Sequence, residues 1–345
     1  MATTRSTRLL GIAFLASCAE PTRPDEDVAG APAATHPAAA GARTRVTIDG
    51  ERFRINGALT YRGTAAEGAL MNVRMVNSVF EDTDRPQFDP ERNTDELVDR
   101  MGQYVSLGVR AFTVSLQGGY PGYEGARNSA FLKNGQLQPA YLARVERVIE
   151  RAEDLDAVII LGLFYQRQDQ ALEDEDAVRA GVVNAADWIR KRGYRNVILE
   201  IANEYGHRGY DHAVLRSDAG VAGLIRLAKG RHPSLAVSAS ALRNGKTTPK
   251  VAAASDIILV HFNSVSLSEI SGRIRALGKD HPNKPIVCNE DARTGSAAAA
   301  AALASVEAGG SYGLMVERKN QYYPFEFRGR NDDPVAYDRY AALTE

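Results

Sequence analysis

The 345-residue chain has little of several things, and each scarcity is informative. It has two cysteines, Cys18 and Cys288, so a disulfide-stapled scaffold is not expected. It has one tryptophan, Trp188, within a helix-like segment. Its formal net charge is -1, which supplies no electrostatic reason for a nucleic-acid partner or an anionic membrane surface. The most apolar stretch near the start, "LLGIAFL", is too short to cross a bilayer as a helix. A G-x-G-x-x-G turn after the first strand is missing, which argues against a dinucleotide-binding open sheet. H-x-H and H-E-x-x-H spacings are missing too, so no metal site and no cofactor is expected.

The first 43 residues read as delivery rather than fold. Arg5 and Arg8 precede the short apolar run, and small residues precede Cys18, as in a secretory signal over residues 1–17. The order Leu15-Ala16-Ser17-Cys18 resembles a bacterial lipoprotein lipobox. That resemblance implies cleavage before Cys18, a lipid on its thiol, and a secreted protein anchored to the cell envelope. Residues 18–43 are rich in Ala, Pro and Gly without hydrophobic period, which reads as a flexible tether. Residues 44–345 are expected to form one catalytic domain, entered through a hairpin turning at Asp49-Gly50.

From residue 58 the pattern alternates strands and helices. Strand candidates are "ALTYRG", "VRAFTVS", "AVIILGLFYQ", "NVILEIANE", "LAVSASAL", "DIILVHFN", "KPIVCNE" and "YGLMVERKN". Amphipathic helices separate most of them, for example "PAYLARVERVIERAEDL" and "DEDAVRAGVVNAADWIRKRG". Most strands are continuous apolar runs, so both faces are buried and the sheet is parallel. Eight such units predict an α/β fold, a (β/α)8 barrel with a short N-terminal β-hairpin. The stretch 64–93 is read as an unusually long loop after the first strand.

In such a barrel the active site lies at the C-terminal strand ends. Glu204 ends the fourth predicted strand and Glu290 the seventh, across the mouth from each other. Two facing carboxyls are what glycoside hydrolysis needs. Polar residues near other strand ends are candidate substrate ligands: Tyr165, His207, His261, Asn263 and Glu317, with Asn72 and Arg74 in the long loop.

"VILEIANE" followed by "PIVCNE" resembles the cellulase-like members of clan A glycoside hydrolases. "FRINGALTYRG", "GVRAFTVS" and "LVHFN" resemble that family's first hairpin and strand, second strand and sixth strand. The resemblance implies Glu204 as general acid/base and Glu290 as nucleophile, with retention of configuration. It implies Asn203 as a ligand of the sugar 2-hydroxyl, Arg110 as the cationic support of Glu290, and His261 as the strand-six histidine. The chain departs from the pattern at three places. Tyr205 stands where proline is common, Asn263 where a tyrosine is common, and Glu317, Lys319 and Asn320 where a tryptophan platform is usual. A metal-assisted isomerase using Glu204, Glu290, His261 and Asp291 is a second reading. A glycan-binding lipoprotein without catalysis is a third.

Overall fold

A computed structural model describes residues 44–242 and 244–345. The expected signal segment, Cys18 and the tether to residue 43 lie outside the described residues. The described part opens with three short antiparallel strands, β1 (Val46–Asp49), β2 (Arg52–Ile55) and β3 (Ala58–Leu59), in that order. Asp49 pairs with Arg52 across the turn, where Gly50 takes a left-handed φ of 62° that a Cβ would strain. Phe53 and Ile55 then pack on Ala111, Val158, Ile198, Leu259 and Val287, residues at the starts of barrel strands. The little sheet therefore plugs the N-terminal end of the barrel with apolar side chains.

The barrel strands are β4 (Asn72–Arg74), β5 (Ala111–Ser115), β6 (Val158–Phe164), β7 (Val197–Ala202), β8 (Ala236–Ser238), β9 (Ile258–His261), β10 (Ile286–Glu290) and β11 (Gly313–Leu314). Six pair in parallel in the order β11-β4-β5-β6-β7-β8, and β9 pairs with β10. Bridges Val287–Ser311 and Asp291–Leu314 join β10 to β11. Asp256 N donates to Val237 O at 3.0 Å and Ser238 Oγ to Ile257 O at 2.8 Å, joining β8 to β9. The fold is a (β/α)8 barrel. The helices that cover it are α1 (Pro90–Ser106), α2 (Pro139–Asp154), α3 (Glu175–Arg192), α4 (Ala213–Arg216), α5 (Asp218–Arg231), α6 (Pro249–Ala254), α7 (Ile270–Asp280), α8 (Gly295–Glu307) and α9 (Pro334–Thr344). Their ends follow local chemistry. Asp89 and Asp174 cap α1 and α3 by accepting the Arg92 and Ala177 amides, and Gly193 closes α3 at φ 73°.

Three elements differ from the sequence expectation. "ALTYRG" is not the first barrel strand; its first two residues form β3 of the plug. The first barrel strand is β4, within the stretch read as loop, and the connection after it shrinks to residues 75–89. β4 escapes pattern reading because its inward residues are polar, Asn72 and Arg74, so it offers no apolar run. "YGLMVERKN" is strand only at Gly313–Leu314, and Glu317–Gln321 forms a single π-helical turn. Helix α9, absent from the sequence reading, buries Tyr337 and Tyr340; the Tyr340 hydroxyl reaches Asn72 O at 2.9 Å.

Candidate active site

The barrel interior changes character along its axis. Near the plug it is apolar, with Ala111, Val158, Ile160, Ile198, Leu259 and Val287. Further along come Thr113, Glu200, Ser238 and Asn289, all buried. At the mouth stand Arg74, Asn203, Glu204, His261 and Glu290. Both glutamates are re-aimed by local irregularity. The β9–β10 register shifts between Cys288 and Glu290, a bulge that turns Glu290 inward beside Asn289. Glu204, just past β7, sits at φ 51°, a left-handed conformation unusual for a residue with a Cβ.

His261 joins the two carboxyls. Its Nδ1 lies 3.2 Å from Glu204 Oε1 and 3.6 Å from Glu290 Oε2. One carboxyl oxygen of each glutamate and a nitrogen of His261 lie within 4.8 Å of one another. Burial opposes a charge on His261, but Glu290 and Glu204 outweigh it and raise the imidazole pKa above its ordinary value. Asn263 Nδ2 donates to Glu290 Oε1 at 2.5 Å, and Ala292 N donates to Asn263 Oδ1 at 2.9 Å, which fixes the amide orientation.

The cation at Glu290 is Arg74. Its Nε lies 2.9 Å from Glu290 Oε2, and its Nη2 donates to Asn203 Oδ1 at 2.6 Å. Arg110, expected in that role, lies before β5 at the opposite end of the barrel. There it donates to Val105 O and Val109 O and stands over the Tyr61 ring. Arg110 precedes the start of β5, whereas Arg74 ends β4, the strand hidden in the stretch read as loop. Asn72 also lies away from the cleft, donating to Leu70 O and Cys288 O and tying β4 to β10.

Outside this buried layer opens a cleft of about 790 Å³, lined by Glu204 and Glu290 together with Tyr165, His207, Asn263 and Glu317. That size suits a small-molecule or oligomer site. Tyr120 and Tyr322 form one wall, their rings edge-to-face at 5.9 Å. Tyr322 donates to Glu317 Oε1 at 3.0 Å. Burial and the nearby Glu290 charge push the Tyr165 phenol up, so it stays protonated. His207 is on the rim, accepting from Gly209 N at 2.9 Å. Asn203 has both amide ends engaged, the second donating to Gln166 Oε1 at 3.1 Å. Gln166 in turn reaches Glu204 Oε2 at 3.4 Å. Sequence reading missed Gln166, although its place just after β6 was the available signal. Trp188 is on α3, away from the cleft, donating to Glu146 Oε1 at 3.1 Å.

Among the described residues, Glu204, His261 and Glu290 are the one group of donors close enough to share a metal ion. The Arg74 guanidinium already sits on the Glu290 oxygen nearest His261, and a second cation there would be repelled. Asp291, drafted for the metal reading, instead holds Arg293 and Tyr312.

No family model matches the sequence, and no curated protein matches it. Solved structures do match. An endo-1,4-beta-mannanase from Rhizomucor miehei aligns over 87% of this chain and 99% of its own, at 12% identity and a TM-score of 0.58. A glycoside hydrolase 5 lichenase from Caldicellulosiruptor sp. F32, in complex with cellotetraose, aligns over 86% of this chain and 98% of its own, at 11% identity and 0.57. These neighbours are glycoside hydrolases. The chain spans 62% of a longer family 5 glycoside hydrolase from Bacteroides vulgatus, at 13% identity, 79% of this chain and 0.53. At such identities the likeness establishes the barrel fold.

Proposed function

We propose that this protein is a retaining glycoside hydrolase acting on an oligo- or polysaccharide. The observation that carries the reading is the approach of Glu204 and Glu290 oxygens to within 4.8 Å. Carboxyls about 5–5.5 Å apart go with retention, and about 6.5–9.5 Å with inversion, where a water must fit between.

In this reading Glu290 is the nucleophile. It attacks the anomeric carbon as the glycosidic C–O bond breaks, while Glu204 gives its proton to the departing oxygen. Glu204 then takes a proton from water, whose oxygen displaces Glu290 and returns the sugar with its original configuration. Arg74 and Asn263 hold the Glu290 carboxylate from two sides, and His261 and Gln166 hold Glu204. Asn203 presents its side chain from the same layer and is the candidate partner of the sugar 2-hydroxyl. The mannanase and lichenase neighbours support a glycan substrate. The cleft lining holds no tryptophan, and its wall offers the tyrosines Tyr120 and Tyr322 beside the polar Glu317.

The test is hydrolysis of a glycan panel with the anomeric configuration of the first product followed by proton NMR. Glu290→Gln and Glu204→Gln should each lower kcat by at least about 10²-fold, and azide should rescue the small-residue variants. An inverted product, or full activity in Glu290→Gln, overturns the reading. For residues 1–43 we propose a signal over residues 1–17, with Cys18 as a lipid-anchored residue at the cell envelope. Cys18→Ser should release the protein from membranes and abolish labelling by a radioactive fatty acid.

A further inference from the structure

One buried carboxylate is not used by that mechanism. Glu200 on β7 is 1% exposed, and among the described residues its oxygens meet neutral donors rather than a cation. A buried carboxylate is costly unless its oxygens are satisfied, and both of these are, by neutral donors. The Ser240 hydroxyl donates to Oε1, and Asn289 Nδ2 donates to Oε2 at 3.1 Å. Each donor leads to one of the two glutamates. Asn289 points inward by ordinary strand alternation and immediately precedes Glu290, the residue the β10 bulge turns in beside it. Ser240 grips the chain around Glu204 with three atoms. Its Oγ accepts from Glu204 N at 3.1 Å, its carbonyl accepts from Tyr205 N at 2.9 Å, and its amide donates to Ala202 O at 3.3 Å.

The direction of these bonds matters. A serine hydroxyl has one proton. Because Glu200 takes it, the Oγ lone pair is left facing the Glu204 amide. That amide belongs to the residue held at φ 51°, a conformation that persists only where surroundings over-determine it. The chain Glu204 N–H to Ser240 Oγ–H to Glu200 to Asn289 thus runs beneath the cleft from one glutamate's backbone to the other's neighbour. We propose that Glu200 is a positioning residue, which through Ser240 and Asn289 sets the spacing of Glu204 and Glu290. The kinetic consequence rests on the glycoside hydrolase reading; the geometric one does not.

Glu200→Leu and Ser240→Ala each break the chain without touching the cleft. A displacement of about 1 Å costs about 100-fold in rate, so each variant should lose about 100-fold in kcat with KM nearly unchanged. The double variant should lose little more than either single one, because both cut the same connection. Glu200→Gln should keep most of the rate. Its carbonyl can accept from Ser240, and its amide can donate to Asn289 Oδ1, which has no partner. A crystal structure of Glu200→Leu, or of Ser240→Ala if the first does not fold, should show Glu204 relaxed from its left-handed backbone and the carboxyl oxygens separated beyond 4.8 Å. Unchanged spacing, losses that multiply in the double variant, or losses confined to KM overturn the proposal. A shifted spacing in a protein whose wild type hydrolyses no glycan upholds the positioning role and removes the hydrolase reading instead.

Discussion

Two arginines separate what the chain suggests from what the fold does. Arg74 is 1% exposed and pairs with Glu290, so Arg74→Ala strips the guanidinium from a buried carboxylate and leaves it Asn263 and His261. Removing one partner of a buried pair costs about 3–5 kcal/mol. We expect loss of activity together with a matching fall in unfolding free energy, read by urea titration. Arg110→Ala removes two bonds to carbonyls and a ring contact at the far end of the barrel. It should cost about 1 kcal/mol and leave kcat unchanged. His261 yields a pH prediction. Its pKa in the folded protein is raised, burial being outweighed by Glu290 and Glu204. The unfolded value is about 6.5, so the stabilisation is complete below that pH and is lost as pH rises through the higher folded value. The urea midpoint should fall as pH rises above about 6.5, and His261→Gln should flatten that dependence.

At the scale of elements, the strand-end logic succeeded where a strand is an apolar run. β7 and β10 announce themselves as "VILEIA" and "IVC", and the polar residues that follow are those at the mouth. It failed at β4, three residues long, and overran at β11, which is strand for two residues only. Their inner faces carry Asn72, Arg74 and Gly313, and their outer neighbours are supplied by α9, distant in sequence. The turn after β11 puts Glu317 and Tyr322 on the cleft wall in place of a longer strand. Tyr120 packs edge-on against Tyr322 there. An aromatic pair contributes about 0.5–1.5 kcal/mol beyond its buried area. If that wall receives a sugar ring, Tyr120→Ala should raise KM by about fivefold while kcat holds, measured by initial rates on the best glycan.

For the molecule as a whole, the closed barrel explains why a polar cluster can be buried so densely. Arg74, His261, Glu200, Glu204 and Glu290 are each held by the neighbours already described, so the cluster's charges sit among fixed dipoles rather than water. The metal reading makes a contrasting claim about this cluster, and a chelator separates the two. With Arg74 as the resident cation, prolonged EDTA dialysis should leave kcat unchanged. Loss of activity restored by a divalent ion would favour the isomerase reading.

The sequence by itself determined the alternation of apolar strands with amphipathic helices, and hence the barrel. It also marked Glu204 and Glu290, because a glutamate closing an apolar run stands at a strand end in any such fold. Which arginine faces Glu290, the approach of one oxygen of each carboxyl to within 4.8 Å, and the buried link through Glu200 were decided only by tertiary structure. The physical reason is that these contacts join strands far apart in sequence, and that two local irregularities, a bulge and a left-handed residue, choose where the side chains point. Neither irregularity leaves a mark in hydrophobic period.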